Sequence, residues 1–130
     1  DVAAIVLDCN VGDRTGWLGA RASQGNGFVS GTHWIYQYPA DKRLGTQWVD
    51  GGSWDFVDAR RRAFYSIDTA AGSSGSPVMQ MQSDGSYYNN ATHGYGATAT
   101  AGNSGALWWR VPWKRVLLKA HKWATAVPDR

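Results

Sequence analysis

Pro77-Val78-Met79-Gln80-Met81-Gln82, Ser83-Asp84-Gly85-Ser86 and Tyr87-Tyr88-Asn89-Asn90-Ala91-Thr92-His93 follow one another without interruption. Two runs rich in β-branched, aromatic and apolar residues flank a four-residue polar break, and Asp-Gly supplies the positive φ that a tight hairpin turn demands. This stretch reads as an antiparallel hairpin. The same punctuation recurs along the chain. It predicts further strands at Val2 to Leu7, Gly27 to Ser30, His33 to Tyr38, Thr46 to Val49, Trp54 to Val57, Ala63 to Ile67 and Ala106 to Val111, separated by Gly, Asn, Asp and Ser. Many short strands with turn signals between them indicate an all-β fold. Only the last segment changes period. Trp113, Val116, Leu117, Ala120 and Ala124 recur at helical spacing, with Lys114, Arg115, Lys119 and Lys122 on the other side, and Pro112 suits a first helical turn. A C-terminal amphipathic helix over 112–126 is expected.

Composition bounds the rest. At 130 residues and 43% hydrophobic content the chain can bury a core, and its 18% charge is low for a globular domain. Its longest apolar run, Val2 to Leu7, is far short of the roughly 20 residues that span a bilayer. Thirteen basic residues face ten Asp and no Glu, a bias that carries no nucleic-acid signature, so neither membrane nor nucleic acid is expected as a partner. Cys9 is the single cysteine; it is read either as a small buried residue or as one half of a bridge to a cysteine on another segment. His33, His93 and His121 are far apart and lack neighbouring cysteines or paired carboxylates, so no metal and no cofactor is expected. Asn90-Ala91-Thr92 fits an N-glycosylation acceptor and is read as chance, since a glycan would crowd His93.

Chemistry is suggested just before the hairpin. Thr69-Ala70-Ala71-Gly72-Ser73-Ser74-Gly75-Ser76-Pro77 is built almost wholly from small residues. A Gly-x-Ser-Gly turn lets backbone approach a reacting carbonyl, and the N–H groups of Gly72 and Ser74 could converge on an oxyanion. Acyl transfer needs that pairing of hydroxyl and donors. By composition alone such a Gly- and Ser-rich loop is far more often an ordinary turn.

The ordered set of segments around this turn resembles the trypsin-like serine peptidases, and within them the bacterial glutamyl endopeptidases. Asp1-Val2-Ala3-Ala4-Ile5-Val6-Leu7 resembles the strand that opens with the catalytic aspartate. Trp17-Leu18-Gly19 with Arg21, Tyr38-Pro39-Ala40-Asp41-Lys42 and Gly45-Thr46-Gln47-Trp48 resemble internal landmarks. Gly72-Ser73-Ser74-Gly75-Ser76-Pro77 resembles the nucleophile motif, and His93-Gly94-Tyr95-Gly96 the specificity strand. The resemblance covers nearly the whole chain.

It implies an all-β fold: the second antiparallel barrel of a double-barrel protein, with the last strand of the first. Residues 1–25 would end the first barrel and connect the two, and 26–130 would form the second barrel with its C-terminal helix. It implies Ser74 as nucleophile, Asp1 as the carboxylate that orients the base, and the Gly72 and Ser74 N–H groups as the oxyanion hole. His93 and Thr69 would recognise an acidic side chain in a pocket completed by Gly94, Tyr95 and Gly96. An imidazole N–H and a hydroxyl can hydrogen-bond a carboxylate without the desolvation of a full opposing charge. The family's catalytic histidine precedes its aspartate, and no residue here matches it, so the resemblance implies a partner chain carrying that histidine, a polypeptide substrate and secretion. The branch's frequent cysteine pair is replaced by Ala40 and Gly72. The absence of Glu would spare a Glu-cutting enzyme from self-digestion. Two other readings stand beside this one: a catalytically silent peptide-binding relative, and a carbohydrate-binding β-module motivated by the eight Trp residues.

Overall fold

A computed structural model describes residues 5–21, 30–58, 62–108 and the helix 111–126, with side chains in that helix at 115, 116 and 118–123. Among the described residues eight strands are present: β1 (Gly19–Ala20), β2 (His33–Gln37), β3 (Trp48–Gly52), β4 (Trp54–Val57), β5 (Arg62–Tyr65), β6 (Pro77–Met81), β7 (Tyr87–Tyr95) and β8 (Asn103–Leu107). Two helices accompany them, α1 (Gly12–Thr15) and α2 (Val111–Ala126). The chain divides into two compact units, residues 19–109 and residues 1–18 with 110–130.

Within the first of these units one sheet runs in the order β3-β2-β6-β7-β8-β5-β4, with β1 parallel beside β7. The two ends of that path are joined by Ser53 alone, between Gly52 of β3 and Trp54 of β4. Laid flat, the terminal strands would lie roughly 29 Å apart at about 4.8 Å per step, whereas one residue spans about 3.4 Å. The sheet therefore curls until its ends meet, which makes it the antiparallel barrel that the resemblance implies.

Inward residues of the curl form the core: Ile35, Trp54, Ala63, Tyr65, Ile67, Val78 and Ala91. Strand β2 alternates buried and half-buried residues, so His33, Ile35 and Gln37 share the inner face. His33 lies flat against Trp54, with ring centroids 4.1 Å apart. The hairpin between β6 and β7 forms as expected. Gly85 takes φ 82, Gln82 N–H donates to Ser86 C=O at 2.8 Å, and the Asp84 carboxylate accepts from the Ser86 N–H at 2.9 Å.

Several expected boundaries move. Ile5 to Leu7, the described part of the strand expected at Val2 to Leu7, is irregular: Ile5 and Leu7 are exposed, and no described strand pairs with them. An apolar run without a hydrogen-bonding neighbour has no ladder to join. The strand expected at Gly27 to Ser30 falls largely outside the described residues, and Ser30 is a bend. The strand expected at Ala106 to Val111 lies earlier, at Asn103–Leu107, because its register is set by pairing with β5 and β7, while Val111 opens α2. The expectation of a buried Cys9 is overturned. Cys9 is exposed and free, and a hydrogen bond from its thiol to the Asp8 carboxylate holds its pKa up.

In the other unit, Ile5–Leu18 and α2 contribute the described residues. Val6, Cys9, Trp17, Ala120 and His121 help line a cavity there of about 380 Å³. Among the described residues no helix is long and apolar enough to cross a membrane.

Candidate active site

The Gly-x-Ser-Gly segment folds as two consecutive turns. Ser73 N–H donates to Ala70 C=O at 3.1 Å and Ser76 N–H donates to Ser73 C=O at 3.1 Å. Gly72 and Gly75 occupy the third position of each turn with φ 90 and φ 89. That left-handed geometry strongly favours glycine. Ser74 stands exposed at the second position of the second turn.

Donors along the segment are used selectively. The N–H groups of Ser73, Gly75 and Ser76 are all engaged in backbone hydrogen bonds. Those of Gly72 and Ser74, the two expected oxyanion donors, have no acceptor among the described residues.

Three anchors hold the turns. Gly75 N–H donates to His93 C=O at 2.8 Å and His93 N–H to Ser76 C=O at 2.9 Å, extending the β6–β7 ladder towards Ser74. On the other side Ala40 N–H donates to Ala71 C=O at 2.7 Å. A Cβ built on Gly72 would lie 3.8 Å from that of Ala40, a separation that a disulfide bridges. Beneath the turns Ser73 is fully buried; its hydroxyl donates to Gln37 Oε1, while Gln37 Nε2 donates to Asp68 C=O at 2.8 Å. A buried hydroxyl and carboxamide thus satisfy each other under the Ser74 turn.

His93 is buried near the end of β7, and a bulge follows it. His93 pairs with Gly105 but Tyr95 pairs with Ser104, so two residues on β7 advance against one on β8. This breaks the alternation: His93 faces the interior while Gly94, Tyr95 and Gly96 are exposed. Tyr65 Oη lies 2.7 Å from His93 Nδ1. Burial lowers the pKa of His93 and raises that of Tyr65, so the imidazole and the phenol are both neutral at pH 7. Tyr95 is stacked under Arg62, whose guanidinium carbon is 5.9 Å from the ring centre and which is ion-paired to Asp58 at 3.1 Å.

The expected site residues are brought together unequally. Ser74, Gly72 and the strand His93–Gly96 converge through the bonds above. Thr69 is half-buried and helps line a cavity of about 50 Å³ with Gln37, Asp41, Trp48 and Asp50, and among the described residues it shares no hydrogen bond with His93. Asp1 lies outside the described residues. His33 is sealed in the core, with neither ring nitrogen hydrogen-bonded in good geometry among the described residues, and His121 is carried on α2. No group of three or more His, Cys, Asp or Glu converges as metal ligands among the described residues. Asn90 is 1% exposed, which leaves no room for a glycan on its side chain. Sequence reading missed Gln37, Ser73 and Tyr65. The readable signal for Gln37 was its place two and four residues after Ile35 and His33, on the inner face of one strand.

No protein-family model matches the chain. It is similar to the glutamyl endopeptidase of Bacillus licheniformis, with 35% identity over 83 residues, covering 64% of this chain and 26% of that protein. It is also similar to an extracellular metalloprotease of Bacillus subtilis, with 30% identity over 99 residues, covering 76% of this chain and 31% of that protein. Among solved structures, a Glu endopeptidase in complex with MPD superposes with a TM-score of 0.68 at 24% identity, over 88% of this chain and 52% of that one. The chain thus spans about half the length of this solved relative and, in the aligned part, about a quarter to a third of the curated ones. A curled antiparallel sheet carrying the Gly72–Ser76 turns at the start of β6, matched by superposition, gives the chain the fold of the second barrel of the trypsin-like serine peptidases.

Proposed function

We propose that this chain supplies the nucleophile, the oxyanion hole and the side-chain pocket of a secreted serine endopeptidase that cuts after acidic residues, with glutamate preferred. The observation that carries the reading is the pattern of donors around Ser74: the N–H groups of Ala70, Ser73, Gly75 and Ser76 are engaged, while those of Gly72 and Ser74, on either side of buried Ser73, are left open beside an exposed hydroxyl. Two such donors preorganised at one point are what a tetrahedral intermediate requires.

In this mechanism Ser74 Oγ attacks the scissile carbonyl and its proton passes to an imidazole. The carbonyl oxygen gains negative charge against the Gly72 and Ser74 N–H groups, the amine leaves with the proton returned by the imidazole, and water then cleaves the acyl-enzyme by the same steps. Asp1 orients that imidazole. Neither His33, sealed in the core, nor His93, committed to Tyr65, is hydrogen-bonded to Ser74. We infer that the general base comes from the part of the protease outside this sequence, and that the chain by itself is inactive. His93 and Thr69 recognise the acidic side chain, with Gly94, Tyr95 and Gly96 beside the peptide. Secretion is supported by the likeness to an extracellular bacterial protease.

The test is a fluorophosphonate probe applied to the native protein that contains this sequence and read by intact mass, followed by cleavage of peptides that differ only in Glu or Gln before the scissile bond. Labelling at Ser74, its loss in Ser74→Ala with a fall in rate of roughly 10³-fold or more, and a preference for Glu are expected. An unlabelled native protein with no peptidase activity would leave the catalytically silent, peptide-binding reading.

A further inference from the structure

Tyr65 and His93 come from strands that are not neighbours. Tyr65 ends β5, His93 lies on β7, and β8 runs between them. The phenol nevertheless reaches Nδ1 of the imidazole at 2.7 Å. Its path is opened by Gly105 on β8, the residue paired with His93: a Cβ there would lie 3.1 Å from Tyr65 Oη and 2.9 Å from Thr92 C=O. Backbone conformation does not explain this glycine, since Gly105 is not among the positive-φ residues. The Thr92 carbonyl and the tyrosine hydroxyl together leave no space for a side chain.

The direction of the hydrogen bond follows from what surrounds it. Tyr65 is 0% exposed, and among the described residues its hydroxyl has His93 Nδ1 as its hydrogen-bond partner. If Nδ1 carried the proton, the phenol hydrogen would be buried without an acceptor, a costly loss. The phenol therefore donates and Nδ1 accepts, which places the imidazole proton on Nε2. Nε2 is not among the fully buried polar atoms that lack a partner, and among the described residues it shares no hydrogen bond, which leaves it to donate to a ligand.

We propose that Tyr65, passing beneath Gly105, is the positioning residue that fixes His93 as its Nε2–H tautomer and so presents an uncharged donor to the acidic side chain of the substrate. This deepens the proposed specificity and rests on His93 facing the substrate pocket. Tyr65 touches no substrate; it acts through the imidazole.

The experiment is long-range ¹H–¹⁵N correlation spectroscopy on the native protein that contains this sequence, with ¹⁵N-labelled histidine, above the titration range of the imidazole. Unsubstituted protein is expected to show His93 with a pyrrole-type Nε2 and a pyridine-type Nδ1. Tyr65→Phe, which keeps the ring packing, is expected to move the two nitrogen shifts towards each other as both tautomers become populated. A His93 proton on Nδ1 in the unsubstituted chain overturns the proposal, and so does an unchanged tautomer in a folded Tyr65→Phe variant. If that variant fails to fold, the unsubstituted spectrum still decides, together with the Tyr65 hydroxyl proton. A slowly exchanging hydroxyl resonance coupled to Nδ1 supports the proposal, and its absence overturns it. Adding an acetylated peptide that ends in glutamate, and then its glutamine counterpart, separates the two layers. The Nε2–H tautomer without a selective glutamate response keeps the role of Tyr65 and removes the acidic pocket. A glutamate response from an Nδ1–H ring does the reverse.

Discussion

Gly72 is held by two independent demands. Its φ of 90 is in the left-handed region, and a Cβ there would meet the Tyr38 carbonyl oxygen at 3.0 Å. Gly72→Ala is therefore expected to lower stability by about 1–2 kcal/mol from backbone strain alone. Relaxing that strain would turn the Gly72 N–H away from Ser74, so fluorophosphonate labelling of the assembled protease should slow by at least about tenfold, the equivalent of about 1.4 kcal/mol. A denaturation midpoint and a labelling rate check both; a variant with unchanged values would show that the turn is not under this constraint. Ser74 was legible because its neighbours are small and glycine marks the turns. Ser73 was not, because two adjacent serines look alike in a string. Only the fold shows one hydroxyl buried on Gln37 and the other exposed.

At the scale of an element, β2 carries an unusual inner row, with His33 and Gln37 on either side of Ile35. Gln37 is satisfied by Ser73 and the Asp68 carbonyl, whereas His33 relies on stacking against Trp54. Burial pushes the His33 pKa down to about 4, the Gly31 backbone offsetting only part of the effect. Because the folded value lies below the ordinary 6.5, the unfolded chain binds the extra proton first as pH falls. Stability is therefore expected to drop between pH 6.5 and about 4, by on the order of 3 kcal/mol, and to lose this dependence below that window. Urea midpoints measured across the range, compared with those of His33→Phe, test this; parallel curves for the two proteins would count against it. Strand existence was legible in most of the sheet, since alternation and turn residues mark β2, β4, β5, β6 and β7. Boundaries were less so. β8 is a glycine- and serine-rich strand whose extent is decided by pairing on both sides, and a two-residue strand such as β1 exists only because Gly19 and Ala20 find β7.

For the sheet-bearing unit as a whole, the join at Ser53 is the tightest part of the curl. Opening it with an insertion of about six Gly and Ser residues lengthens the loop that must close, an entropy loss of about 2 kcal/mol. Equilibrium unfolding followed by tryptophan emission is expected to show that decrease without a change in cooperativity, because Trp54 adjoins the join and is buried in the core. An increase in stability would mean instead that the single-residue link stores strain. Barrel closure itself could not be read from strand patterns, which give strands and their order along the chain but not which strand lies beside which.

The ladder from Gly75 through β6 and β7 also bears on the order of events during folding. Its pairs are close in sequence and close on a preferred turn, whereas Arg62 must find Ala106, and His33 must find Gln80, across long stretches of chain. Local hairpins form in microseconds, and non-local pairings limit the rate of such topologies. The clamp of Gly75 and Ser76 on His93 belongs to the early hairpin. The Ser74 turn is thus seated beside the His93 strand while the rest of the sheet is still open, and the later steps bring Tyr65 under Gly105 and seal Ser73 against Gln37. Slow topology is confined to the scaffold, and the corner that carries Ser74 forms with the fastest-forming piece.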